Sequence, residues 1–135
     1  MARAALDHLA DVLEAIAKVR EYTRGGEAAF RKTSMVRDAV IARFIQIGQA
    51  VKDAQDEGLD LAALAPEIAW RDVAGMRDRL AHKYWDADYA MIWSVIGADL
   101  EKLERAVRAI ASTQGKKAST HRKGPVAKPR RGRRR

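Results

Sequence analysis

Pro66-Glu67-Ile68-Ala69-Trp70-Arg71-Asp72-Val73-Ala74-Gly75-Met76-Arg77-Asp78-Arg79-Leu80-Ala81-His82-Lys83-Tyr84 reads as a helix with two unlike faces. Ala69, Val73, Met76 and Leu80 recur at steps of three or four, the spacing that lines up side chains on one side of an α-helix. Proline suits a first helical turn, where its missing N–H has no partner to lose, so the pattern predicts a helix from Pro66 to about His82. The remaining positions bring together a guanidinium at Arg77, a carboxylate at Asp78 and an imidazole at His82. Arginine stabilises charge developing on phosphorus, and histidine gives or takes a proton near neutral pH. Those two groups suffice for cleavage of RNA without a metal.

Three further helices flank this one. Leu6, Leu9, Val12, Leu13, Ile16 and Val19 form a stripe that predicts a helix over Ala4 to Tyr22, broken by Gly25-Gly26. A second begins near Ser34 and carries Val36, Val40, Ile41, Phe44, Ile45, Ile47 and Val51 on more than one face, so it should pack on two sides. Gly48 inside it costs ~1 kcal/mol relative to alanine, which predicts close approach of a neighbouring backbone. Gly58 to Ala65 reads as a connector. After a turn at Trp85-Asp86-Ala87-Asp88, Asp88 is a candidate cap for a helix from Tyr89 to about Ser112, with Ile92, Ile96, Leu100, Leu103, Val107 and Ile110 inward. Trp70 and Trp93 read as core or interface anchors. No strand pattern, repeat or Gly-rich phosphate loop interrupts this reading. The fold class is all-α, an up-and-down bundle of four or five helices over residues 1–112.

Charge divides the chain sharply. The net +8 hides a body of −2 over residues 1–112 and a segment of +10 over residues 113–135. That segment is Lys, Arg, Gly, Pro, Ser and Thr with nothing to bury, which predicts disorder. Its cations are Lys116, Lys117, Arg122, Lys123, Lys128, Arg130, Arg131, Arg133, Arg134 and Arg135. They would bind any polyanion, loading RNA or an acidic partner onto a body without basic surface, or serve as a solubilising extension. Cysteine is absent, and His8, His82 and His121 have no zinc-ligand spacing, so no metal site and no cofactor are expected. No apolar run approaches the ~20 residues of a membrane span, and the soluble cytoplasm is the expected location.

Spacing alone leaves the chemistry open. Asp78 and His82, four apart, share a helical face, so the carboxylate could orient the imidazole; an ion pair with Arg79 or Lys83 fits equally well. Arg77 and His82 fall ~140° apart about an ideal axis, so convergence on one phosphate needs arginine's reach or a second subunit. Tyr84 and Trp85 read as helix-end packing residues.

The wider pattern narrows this. Trp70-Arg71 followed by Gly75-Met76-Arg77-Asp78, then His82-Lys83-Tyr84, closely resembles the signature of HepT-like proteins, a branch of the HEPN ribonuclease toxins. Arg31-Lys32-Thr33, Asp38-Ala39-Val40-Ile41, Ile47-Gly48-Gln49-Ala50, Glu21-Tyr22-Thr23 and Trp93 fit as well, so the resemblance covers about residues 4–111. It implies an α-helical homodimer with active sites near the subunit interface and a metal-independent endoribonuclease acting as a toxin. It also implies an MntA-type nucleotidyltransferase antitoxin that transfers AMP to the tyrosine of His-x-Tyr, here Tyr84. Arg77 and His82 take the catalytic positions, with Asp78 at the polar position after the arginine. Two departures stand out: Gln49 where relatives often carry glutamate, and Asp78 where asparagine is common. Both leave room for a non-catalytic subunit that binds nucleotide or RNA beside a nucleotidyltransferase, and the tail for an architectural binder.

Overall fold

Most of the apolar residues that helical spacing aligns on the first, second and last expected helices are buried, whereas Val73, Met76 and Leu80 of the expected third stripe are only half-buried and Ala69 is exposed. A computed structural model describes residues 2–83 and 88–126, with side chains over 4–82 and 88–116. Its elements are α1 (Ala2–Tyr22), α2 (Gly26–Lys32), α3 (Ser34–Asp56), α4 (Leu61–Leu64), α5 (Trp70–Lys83), α6 (Tyr89–Ala98) and α7 (Leu100–Val126), with no strand among the described residues. Helix α3 packs against both α1 and α5, as its two apolar faces require, and α7 closes the bundle against α1 and α6. Leu9, Val12, Ile16 and Val19 of α1 meet Val40, Phe44, Ile47 and Val51 of α3 and Leu103, Val107 and Ile110 of α7 in one buried cluster. No described helix is long and apolar enough to cross a membrane.

Four boundaries differ from the sequence reading. A short helix, α2, follows the glycine pair and buries Phe30 entirely; Gly26 enters it at φ +88°, a conformation that favours glycine. The connector holds one helical turn, α4, capped by Asp60, whose carboxylate accepts from the Ala63 N–H at 3.2 Å. The helix expected from Pro66 begins instead at Trp70. The Ala65 carbonyl accepts both the Ile68 N–H at 3.2 Å and the Trp70 indole N–H at 2.8 Å, which holds residues 66–69 in a turn. That bond also satisfies the polar edge of a buried indole. Finally, the last expected helix is two, meeting at Asp99, and it runs on past Ser112 to Val126.

The helix thus runs past the change of composition at Thr113. Once α7 is nucleated against the core, each added residue costs far less than starting a helix afresh, and Gln114, Lys116 and Lys117 favour helix. Disorder was expected from Thr113 onward; residues 113–126 are helical, and the rest of the tail lies outside the described residues. The cap at Asp88 is as expected, its carboxylate accepting from the Met91 N–H at 3.2 Å.

A charged staple joins the first and last helices. Arg20 of α1 and Arg108 of α7 both donate to Glu104, the latter at 2.9 Å. The Arg20 hydrogen bond is the largest influence on the Glu104 carboxyl and holds it below its ordinary value, with desolvation opposing and Arg108 assisting. A depressed carboxyl contributes stability above its unfolded pKa and loses it as pH falls through the folded one. Arg20→Ala should therefore cost about 1 kcal/mol at pH 7, and the deficit should vanish in acid once Glu104 is protonated. Denaturant unfolding at both pH values measures it.

Candidate active site

Helix α5 presents Arg77 where α3 leaves room for it. Gly48 is buried in α3, and a Cβ placed there would stand 2.8 Å from the Arg77 backbone nitrogen, 3.0 Å from the Val73 carbonyl oxygen and 3.2 Å from the Arg77 Cβ. The close approach expected at Gly48 is thus made by the backbone of the candidate catalytic residue. With its main chain seated in this way, Arg77 sends a half-exposed guanidinium to the surface, where Nη1 donates to Asp78 Oδ1 at 2.6 Å.

Asp78, which by spacing could orient His82 or pair with Arg79 or Lys83, accepts from Arg77, its neighbour in sequence; the Lys83 side chain lies outside the described residues. Arg79 turns the other way and donates to the Asp72 carbonyl oxygen at 3.0 Å. His82 is exposed and makes no hydrogen bond or ion pair among the described residues. Within one chain, then, Arg77 and His82 share a helix without being joined. Trp70 is a core residue, and Trp93 packs against Phe30 with ring centroids 5.3 Å apart.

Arg77 also walls an open groove of about 400 Å³. Its other walls are His8 and Asp11 from α1 and Gln46, Gln49 and Asp53 from α3, over a floor of Ala42, Ile45 and Ala50. Gln49, one of the two departures noted above, donates its amide to Asp53 at 2.8 Å rather than engaging Arg77. His8, Asp11, Gln46 and Asp53 carry no site motif in the sequence. A weak signal existed: His8 and Asp11 are three apart, and Gln46, Gln49 and Asp53 step by three and four, so each set shares a helical face. Nothing in the sequence said that the two faces meet beside Arg77.

Tyr84 lies outside the described residues, as do Lys128, Arg130, Arg131, Arg133, Arg134 and Arg135. Lys116 is exposed on α7; Lys117, Arg122 and Lys123 belong to the same helix, with side chains outside the described set.

The profile of the family described as ribonuclease HepT-like matches residues 12–110, a span that holds Gly48, Arg77 and His82. The chain belongs to the HepT-like ribonuclease family. A protein of Thermococcus cleftensis named as a probable ribonuclease HepT is 36% identical over 110 residues, covering 77% of this chain and 93% of its own length. A candidate RNase of Methanocaldococcus jannaschii is 30% identical over 103 residues, covering 76% and 92%. A candidate RNase of Caldanaerobacter subterraneus subsp. tengcongensis is 36% identical over 80 residues, covering 56% and 69%. No solved structure matches. The matched region, residues 12–110, ends before the basic tail.

Proposed function

We propose that this HepT-like ribonuclease is the toxin of a toxin–antitoxin pair, a cytoplasmic homodimer that cuts RNA endonucleolytically without a metal. The observation that carries the reading is the seating of Arg77 against Gly48. A rigid backbone contact, in which a single methyl would clash, fixes the base of an arginine whose guanidinium is left half-exposed. Cleavage needs a base to take the 2′-hydroxyl proton, an acid to protonate the departing 5′-oxygen, and positive charge on the phosphorane. Arg77 supplies the charge, gripping two non-bridging oxygens with its planar fork. His82, exposed on α5, moves the protons. The attacking 2′-oxygen bonds to phosphorus, the P–O5′ bond breaks, and the products are a 2′,3′-cyclic phosphate and a 5′-hydroxyl.

A second copy supports this arrangement on two counts. Arg77 and His82 point to different sectors of one helix, so the imidazole of another chain is well suited to complete the site. The apolar stripe of α5, Val73, Met76 and Leu80, is only partly buried within one chain, and Met91 nearby in sequence is exposed, leaving apolar surface for a partner.

Silencing follows from Tyr84, two residues beyond His82. An MntA-type nucleotidyltransferase antitoxin would let the phenol oxygen attack the α-phosphorus of ATP, with pyrophosphate leaving and the phenol proton passing to solvent. The added nucleotide puts bulk and negative charge where RNA phosphate must enter. Co-expression with a cognate nucleotidyltransferase should relieve growth arrest and add one or more AMP masses at Tyr84 by peptide mass spectrometry. Relief with an unmodified tyrosine would reject this route. The second reading, a non-catalytic nucleotide- or RNA-binding subunit, draws on the Arg77–Asp78 pair, which neutralises the guanidinium at rest; an expression that leaves growth unaffected would favour it.

The basic tail serves as an RNA tether for a body of net negative charge. Truncation after Ser112 should lower RNA affinity and flatten its dependence on salt, measured by titration at several salt concentrations. Equal slopes would reject the tether.

A further inference from the structure

We propose that the groove beside Arg77 is a nucleobase subsite that selects guanine next to the cleaved phosphate, an inference that rests on the ribonuclease reading of Arg77. The walls of this groove are unsuited to the RNA backbone, because Asp11 and Asp53 repel phosphate. They are suited to an unpaired base, whose edges single-strand-reading proteins hydrogen-bond and whose faces they stack on, imidazole included. The volume of about 400 Å³ lies within the range of small-ligand sites, and Ala42, Ile45 and Ala50 give it an apolar floor.

Bonds already made determine what the walls still offer. Gln46 Oε1 accepts from Arg43 at 2.9 Å, which leaves the Gln46 amide N–H groups free to donate. Gln49 spends a donor on Asp53 Oδ1, which leaves Gln49 Oε1 and Asp53 Oδ2 as acceptors. Asp11 is exposed and makes no hydrogen bond or ion pair among the described residues, so its whole carboxylate is available. The groove is therefore rich in acceptors, with two carboxylates among them.

Guanine alone presents two parallel donors, N1–H and the N2 amine, on one edge, and a carboxylate accepts both side by side. Adenine turns the N1 lone pair toward the same oxygens and is repelled. Cytosine does likewise through N3, and uracil offers a single donor between two carbonyls. Selection thus comes from attraction to one base and repulsion of the others. Gln46 remains to donate to guanine O6, and His8 to stack.

The test is binding of the full-length protein to the dinucleotides GpG, ApA and IpI with 2′-O-methyl sugars, which cannot be cleaved. Because any contribution from the tail is common to all three, the ratio reports the groove. GpG should bind about 10-fold more tightly than ApA, with the inosine dinucleotide between them because it lacks the N2 amine. Asp11→Asn should shift the ratio at least about 5-fold toward adenine, since an amide pairs a donor and an acceptor with that base. Asp53→Asn should weaken the guanine preference. Equal binding of the three dinucleotides, or a guanine preference untouched by both substitutions, overturns the proposal. Guanine-selective binding in a protein that cuts no RNA would support the subsite and reject the nuclease reading. Cleavage without any base preference in binding would do the reverse.

Discussion

Purified Arg77→Ala and His82→Ala proteins should each cleave RNA at least about 100-fold more slowly than the wild type, because each removes a group that acts mainly in the transition state. Arg77→Lys should recover little, since an ammonium cannot take two phosphate oxygens in a planar fork. Neither loss should come from unfolding. His82 is exposed, and Arg77→Ala keeps the Cβ that faces Gly48, so stability should stay within about 0.5 kcal/mol of wild type. Expression of either variant should likewise leave growth unaffected where the wild type arrests it.

Mixing the two inactive proteins adds a sharper test of the dimer. If Arg77 of one chain works with His82 of the other, a mixed dimer contains one site with both groups intact and one with neither. Random exchange should then restore about a quarter of wild-type activity, half the dimers being mixed and each having one of two sites. If both groups act within a chain, mixing restores nothing. Full activity in either single variant would remove catalysis from this site altogether.

How far the sequence could be read depended on the length of each element and on where its partners lie. The long amphipathic helices were legible because a stripe such as Leu9, Val12, Ile16 and Val19 repeats over several turns and has one solution. The short helices α2 and α4 were not, since one or two turns carry no period; both bury a residue, Phe30 against Tyr89 and Trp93 far along the chain, and Leu61. The start of α5 was misplaced because a proline favours a first helical turn in general, whereas here the Trp70 indole claims the Ala65 carbonyl. The site divides in the same way. Arg77 and His82 were legible as a local motif on one helix. His8, Asp11, Gln46 and Asp53 gather only when α1 and α3 pack, and no local spacing encodes that meeting. Gly48 is the instructive exception, a local oddity whose cost predicted a tertiary contact without naming the residue that makes it.

Gly48→Ala should damage both stability and activity, and the reason lies in what its Cβ would meet. Two of the three nearest atoms, at 2.8 and 3.0 Å, are backbone atoms of α5, and the third, at 3.2 Å, is a Cβ fixed to that backbone. None can rotate aside as a flexible side chain would, so α5 must move away from α3 as a body. Overpacking of this kind costs about 1–3 kcal/mol, while alanine returns ~1 kcal/mol of helix propensity. The net expectation is a loss of up to about 2 kcal/mol, which for a small domain lowers Tm by roughly 4–8 °C per kcal/mol. The shift also carries Arg77 with it. Misplacement of a catalytic group by about 1 Å costs on the order of 100-fold, so a displacement of several tenths of an ångström should cost about 10-fold in kcat. Gly97→Ala in α6 is the control, because a Cβ there meets nothing within 4 Å; it should be neutral or stabilise by up to ~1 kcal/mol. If Gly48→Ala behaves like that control, in thermal unfolding and in turnover, α5 is not seated on α3 through Arg77, and the rigid support for the guanidinium is gone.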